Sequence, residues 1–464
     1  MAEAPRMKVL FIAYFFPPIG GGGVQRSAKF VKYLPQFGFT PLVVTAGTAE
    51  TEHWAPKDEA LMRDLPPEAR VFRAGKLPPV TPPRTWNQRF RDVLGRATPF
   101  GQAWTQAILR LGARVCREEK PDLIYVSLSP WEGAAAAAQL ARQFKLPWVA
   151  DLRDPWALDE MQIYMSGLHR RLVRQQMRRT LRTANLVIMN TPEAARQLKE
   201  NFPEYRNRRV IHLTNGYDAE DFESLVHHPD PEHFRIVHTG SLHTRIGHLL
   251  ARRRRLFEAI GRVSAGVDFL TRSHEVLLQA LNVWRTHNPE AGRQARLILA
   301  GSLTAEDRAL AEHSDVRDMV TIDRYRSHPE TIQLQKDAEL LFLPMHDLPV
   351  GHRATIVPGK TYEYLATGRP ILAAVPDGDA RDFVENAGTG LLCRPGDVEG
   401  MTGLLERQYR AWRAGQPAPT PNLEFIRSFE RRHLTERLAE EFDRLLGSTR
   451  GRRENNLHGS PAGA

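Results

Sequence analysis

The stretch Val357-Pro358-Gly359-Lys360-Thr361-Tyr362-Glu363-Tyr364-Leu365-Ala366-Thr367-Gly368-Arg369-Pro370 leads directly into the apolar run Ile371-Leu372-Ala373-Ala374-Val375. Pro358 and Gly359 mark a helix start, Leu365 and Ala366 supply its packing face, and Gly368 followed by Pro370 ends it. The run after the stop is continuous rather than alternating, the pattern of a strand covered on both faces. A capped helix feeding a buried strand belongs to a parallel sheet with helices on either side.

Working outward, similar runs rich in β-branched residues occupy 235–240, 295–301, 320–322 and 340–344, and an earlier set occupies 9–13, 41–45, 123–127, 148–150 and 186–189. Between the sets lie Asn215-Gly216-Tyr217-Asp218 and the polar, His- and Pro-containing stretch 227–233. The expectation is an α/β protein of two doubly wound domains in series, 1–228 and 229–428, facing a central crevice where a ligand meets the carboxyl ends of the strands. A helix over 429–447 follows, with Leu434, Leu438, Phe442 and Leu445 at helical spacing. The polar, Gly- and Pro-containing tail 448–464 is expected to be disordered.

A chain of 464 residues with 42% hydrophobic content has core enough for two domains. Its net charge of +10 suits anionic partners such as nucleotide diphosphates or phospholipid head groups. No recognition motif accompanies that charge, which argues against nucleic acid. Cys116 and Cys393 are the two cysteines, and neither a disulfide framework nor a zinc site is suggested. No signal-peptide pattern is read at the N-terminus, and no uncharged apolar run approaches the ~20 residues needed to span a bilayer. The expected location is cytoplasmic, with any membrane contact peripheral.

Two places can hold an anion. After the first strand, Gly20-Gly21-Gly22-Gly23 enters a helical pattern, so backbone amides can approach a phosphate closely, with Gly22 and Gly23 facing it. The dinucleotide fingerprint is incomplete, since Gln25 stands where its third glycine belongs and Thr45 where an acid should close the second strand. In the later domain, the amides at Gly359 and Thr361 and the ammonium of Lys360 can meet phosphate oxygens. Glu363, one turn inward, can accept hydrogen bonds from a ribose diol. The bland alternative is a capped helix with a solvated Lys and Glu.

Several separated motifs together make the chain from about 8 to 446 resemble the retaining GT-B glycosyltransferases of family 4, in particular the bacterial polysaccharide and glycolipid branch. They are Phe16-Pro17-Pro18 with the glycines, Pro121-Asp122-Leu123-Ile124-Tyr125, Pro147-Trp148-Val149-Ala150-Asp151-Leu152-Arg153-Asp154-Pro155-Trp156, Asn215-Gly216-Tyr217-Asp218, His238-Thr239-Gly240-Ser241-Leu242 and the 360–370 run. The resemblance implies two Rossmann-like domains, a nucleotide-sugar donor held mainly by the second, and a saccharide or lipid-linked acceptor on the first. The family pairs two glutamates, the first on the donor sugar and the second on the ribose. Glu363 matches the second, but Thr355 stands at the first, which leaves the sugar open.

The resemblance also implies a basic residue at the start of the first helix of the second domain. The matching helix is expected over 273–284, after an insertion at about 244–271, so Arg272 matches by helix register and Arg245 by a simple count from Ser241. With Lys360, Arg272 would offset charge on the departing diphosphate, without a cofactor or metal. Beyond the strand at 148–150, Asp154 is the preferred polar contact to sugar or acceptor and Asp151 the second choice, with turn and cap roles as the alternative. The insertion is read as a helix gathering Leu249, Leu250, Leu256, Phe257, Ile260 and Val263 on one face with arginines beside them, suited to an anionic membrane surface or a protein partner. The basic stretch 84–96, carrying Trp86, Phe90, Val93 and Leu94, reads the same way. Competing functions are a catalytically silent nucleotide-binding or assembly protein and a nucleotide-sugar epimerase of the same fold.

Overall fold

The apolar runs of the first half are buried on both faces and pair as parallel strands, because only helices packed above and below satisfy such residues. The strands are β1 (Met7–Ala13), β2 (Phe39–Thr45), β3 (Arg70–Arg73), β4 (Leu123–Leu128), β5 (Trp148–Leu152), β6 (Leu186–Met189) and β7 (Val210–His212). Their order across the sheet is β3-β2-β1-β4-β5-β6-β7. Register pairs Val9 with both Pro41 and Leu123, so the sequence order reverses on either side of β1.

The second sheet holds β8 (Phe234–Thr239), β9 (Ala295–Ala300), β10 (Val320–Ile322), β11 (Leu340–Pro344), β12 (Ile371–Ala374) and β13 (Gly390–Cys393). Its order is β10-β9-β8-β11-β12-β13, again all parallel and reversing between β8 and β11. This computed structural model describes residues 6–47, 59–78, 98–324 and 326–458. The basic stretch 84–96 therefore lies outside the described residues.

The three strands without a sequence signature, β3, β7 and β13, are all sheet edges. An edge strand is covered less than a central one, so Arg-Val-Phe-Arg at β3 suffices where β1 requires Val-Leu-Phe-Ile-Ala.

The units divide the chain differently from the expected 228/229 boundary. One comprises the chain to Asp159, Tyr164–Asn215 and everything from Arg431; the other comprises Glu160–Ile163 and Gly216–Glu430. The C-terminal helix Arg431–His458 is thus part of the first unit. Leu434, Leu438 and Phe442 are buried with Val9, Phe11 and Val43, and the Phe442 ring meets Phe39 edge-on at 5.4 Å. The helix bounds, Arg431–His458, extend past Gly447, where the sequence suggested an end. With no proline and no left-handed turn at Gly447, nothing stops the hydrogen-bond ladder there.

Candidate active site

The switch between β8 and β11 brings together the groups that the sequence associated with an anion. The helix Lys360–Thr367 begins beside it, closed at its far end by Gly368 in the left-handed conformation (φ 66°). Gly359 gives the helix no side-chain cap, so its first turn keeps the positive end of the helix dipole. The Lys360 ammonium points inward and donates to His238 Nε2 at 3.0 Å. His238 is fully buried, and its Nδ1 lies 3.0 Å from the Phe342 carbonyl. A carbonyl only accepts, so Nδ1 carries the proton and Nε2 is the acceptor.

Burial first and Arg272 second push the Lys360 ammonium down to about 7, with Glu363 opposing both. Burial and then Lys360 hold His238 well below its ordinary range. His243, desolvated and close to Arg272, Lys360 and His346, falls to about 3. A lysine that has lost much of its charge preference, beside an arginine and neutral imidazoles, is a site in which an anion restores the favourable state.

The glycines at the ends of β8 and β9 open this space. Gly240 has φ 98°, and a Cβ there would lie 3.2 Å from Lys360 Nζ; a Cβ on Gly301 would lie 2.8 Å from Gly240 backbone atoms. Side chains at either position would displace the ammonium or the neighbouring strand end.

Glu363 lies on the same helix as Lys360 and accepts from Gln335 Nε2 at 3.3 Å; that amide also reaches Thr239 Oγ1 at 2.9 Å. Tyr364 bonds the Thr239 amide through its hydroxyl at 3.0 Å, fixing the helix against β8. Thr361 is fully buried, and its hydroxyl has no partner among the described residues. Of the two arginine candidates, Arg272 closes a short 3-10 turn, Leu270–Arg272, before the helix Glu275–His287 and acts electrostatically on Lys360. Arg245 is 77% exposed and lies 3.7 Å from Glu306.

Sequence reasoning overlooked Glu160. Its carboxylate accepts from the Thr355 amide at 3.0 Å, from the Thr355 hydroxyl, and from His346 Nε2 at 3.1 Å. No local pattern marks it, because it sits in a short connection whose partners lie far along the chain.

In the first unit, the glycine-rich turn enters the helix Gly22–Tyr33. The Gly23 carbonyl accepts from Arg153 Nη1 at 2.6 Å, and a Cβ at Gly23 would lie 2.5 Å from that nitrogen. Arg153 also covers the Phe15 ring at 5.0 Å and bonds Asp154 at 3.3 Å, leaving the Asp154 side chain 46% exposed. Asp151 is fully buried, its oxygens held by Arg26 Nε and Nη2 at 2.8 Å each and by the Tyr125 hydroxyl. Arg26 reaches on to the carbonyls of Leu213 and Thr214. Asp151 thus has no face toward solvent, while Asp154 does.

Two family models match the chain: a glycosyl transferase 4-like domain over residues 21–216 and a glycosyl transferases group 1 domain over residues 259–410. The chain belongs to the GT-B glycosyltransferases. Among solved structures it is similar in fold to a glycosyltransferase from Rickettsia africae (12% identity, 95% of this chain and 99% of the other, TM-score 0.61). Sucrose-phosphate synthase from Thermosynechococcus elongatus is also similar (14%, 98% and 100%, 0.58), as is Anabaena HepE solved with UDP and glucose (16%, 94% and 100%, 0.57). No curated protein sequence matches the chain.

The insertion in this glycosyltransferase departs from expectation. It forms two short helices, Thr244–Ala251 and Arg254–Ala259, rather than one. The six apolar residues do not share one fate: Leu250, Phe257 and Val263 are buried, whereas Leu249, Leu256 and Ile260 are exposed. Among the described residues no helix is long and apolar enough to cross a membrane.

Proposed function

We propose that this glycosyltransferase moves a sugar with retention from a nucleotide-diphosphate donor to a saccharide or lipid-linked acceptor in cell-surface polysaccharide or glycolipid synthesis. The observation that carries the donor half is the inward-facing Lys360, partly neutralised by burial beside Arg272, with Glu363 one turn along the same helix. A diphosphate restores the lysine charge, and a ribose diol matches the carboxylate. UDP bound to the similar HepE structure supports a uridine donor. Lys360, Arg272 and the helix terminus stabilise the leaving diphosphate directly, so the reaction as proposed requires no metal or cofactor. Asp154, which keeps an exposed oxygen, contacts sugar or acceptor.

The exposed Leu249, Leu256 and Ile260 lie close in sequence to the exposed Arg252, Arg253 and Arg255. That combination supports peripheral contact with an anionic membrane face, where a lipid-linked acceptor would be met. Co-sedimentation with phosphatidylglycerol vesicles tests it: a Leu249→Ser/Leu256→Ser/Ile260→Ser variant that still sediments like wild type removes this surface from the proposal.

Incubation of the full chain with UDP- and GDP-sugars tests the main reading. Sugar transfer or slow donor hydrolysis, abolished or strongly reduced by Lys360→Ala and weakened in donor affinity by Glu363→Ala, is the expected result. Nucleotide binding without any turnover would favour a silent binding protein instead. Wild-type kinetics in both variants would mean the site lies elsewhere.

A further inference from the structure

The donor reading leaves one carboxylate unexplained. Glu160 lies in the four-residue segment Glu160–Ile163 that belongs to the second unit although the chain on both sides belongs to the first. Its side chain is 12% exposed and its partner His346 is fully buried. Thr355, 2% exposed, holds the carboxylate through both its amide and its hydroxyl. Burial alone would raise the Glu160 carboxyl, but His346, Thr355 and its own amide outweigh that and hold it below the usual range, so it is a carboxylate at neutral pH. Three hydrogen bonds from His346 and Thr355, together with its own amide, hold the carboxylate in place.

Neighbouring contacts give its place relative to the donor groups. Glu363 acts on Lys360, and Arg272 acts on Lys360. Arg272 Nη1 touches Met161 Sδ at 2.9 Å, and Met161 follows Glu160 in the chain. From the other side, His346 acts on His243, which also feels Arg272 and Lys360. The sequence of neighbours is therefore carboxylate, two cations, carboxylate. A nucleotide sugar has the same order of needs: a diol, a diphosphate, and then a second set of hydroxyls.

We propose that Glu160, held by Thr355 and His346, forms the subsite for the donor sugar and accepts hydrogen bonds from its hydroxyls. The subsite rests on the donor reading above. It explains why a threonine suffices at 355: the side chain there serves as a platform for a carboxylate delivered from a distant part of the sequence. Glu160 so placed is a specificity-determining residue, whereas Thr355 and His346 are positioning residues.

The test uses the full chain and Glu160→Gln, which keeps shape and removes charge. Calorimetry measures UDP and GDP affinity, and kcat and KM are measured with UDP-glucose, GDP-mannose and the other donors of the panel. The expected result is a selective loss: nucleotide diphosphate affinity unchanged within about twofold, and kcat/KM for the productive nucleotide sugar reduced by about 10- to 100-fold, the effect of losing hydrogen bonds to a charged group. Glu160→Ala combined with Thr355→Glu, which returns a carboxylate from the platform position, should recover part of that loss. Equal losses for diphosphate and nucleotide sugar would make Glu160 a structural anchor and overturn the subsite; so would no loss of either. If Glu160→Gln unfolds, Glu160→Asp, which keeps the charge but withdraws it by one methylene, must show the same selective loss. Failure of the wild-type chain to bind any nucleotide diphosphate overturns the donor reading itself, and is seen before any variant is made.

Discussion

Nucleotide binding to this glycosyltransferase should be accompanied by uptake of a proton, and Lys360 should be the group that takes it. In the free protein its ammonium is pushed down to about 7 by burial, then by Arg272, with Glu363 opposing. His238 faces it through Nε2, and His243 lies close; both imidazoles are held low by burial and are neutral at pH 8. A lysine titrating near 7 is only about one-tenth protonated at pH 8, and a bound diphosphate should return it to at least the ordinary value of about 10.4. The uptake is then ~0.9 proton per UDP at pH 8, ~0.5 at pH 7 and ~0.1 at pH 6. At pH 8 a terminal phosphate with a second pKa of about 6 is already ionised, so the ligand contributes little. Calorimetry of UDP binding in buffers of different ionisation enthalpy reads this number directly. Affinity should also fall as pH rises, by nearly tenfold from pH 8 to pH 9. In Lys360→Met the uptake should largely vanish. Uptake below ~0.2 proton at pH 8, or an unchanged value in Lys360→Met, would refute the reasoning. The same shift has a consequence for folding. The folded value lies below the unfolded one, so the penalty is absent above about pH 10.4, grows as pH falls, and is complete below about 7. At ~1.4 kcal/mol per unit it is bounded by roughly 5 kcal/mol, and the ligand-free Lys360→Met chain should resist urea better than wild type at pH 7.

The two arginine candidates separate cleanly. Arg272→Ala should weaken UDP binding by about 10- to 100-fold and raise the midpoint of the proton-uptake profile, because Arg272 lowers Lys360. Arg245→Ala, on an exposed side chain, should change affinity by less than about threefold; equal effects of the two in calorimetry would contradict the assignment. Asp151→Asn should cost ~3–5 kcal/mol of first-unit stability in urea unfolding, since it leaves the buried Arg26 guanidinium without its counter-charge. A cost below ~1 kcal/mol would show that the carbonyls of Leu213 and Thr214 compensate for the charge.

The central strands and the helix Lys360–Thr367 were legible because their signals are local: continuous apolar runs, a proline and glycine at one end and a glycine stop at the other. The edge strands β3, β7 and β13 were not, because partial cover removes the apolar signature that identifies a strand. The insertion was misread for a related reason. Its six apolar residues read as one face of a continuous helix, whereas the chain forms two short helices and each buries only part of that set.

Sequence alone therefore determined the two parallel sheets and the helix start that carries Lys360 and Glu363, each set by neighbours a few positions away. Tertiary structure decided what depends on distant segments. It set Arg272 within electrostatic reach of Lys360 while leaving Arg245 exposed, and placed Asp151 in the interior against Arg26. It joined the C-terminal helix to the first sheet and brought Glu160 to Thr355. Hydrogen bonds and buried charges are short-ranged in space but indifferent to separation along the chain. A threonine where a glutamate was expected looks like a loss in one dimension, and in three it is the seat of another carboxylate.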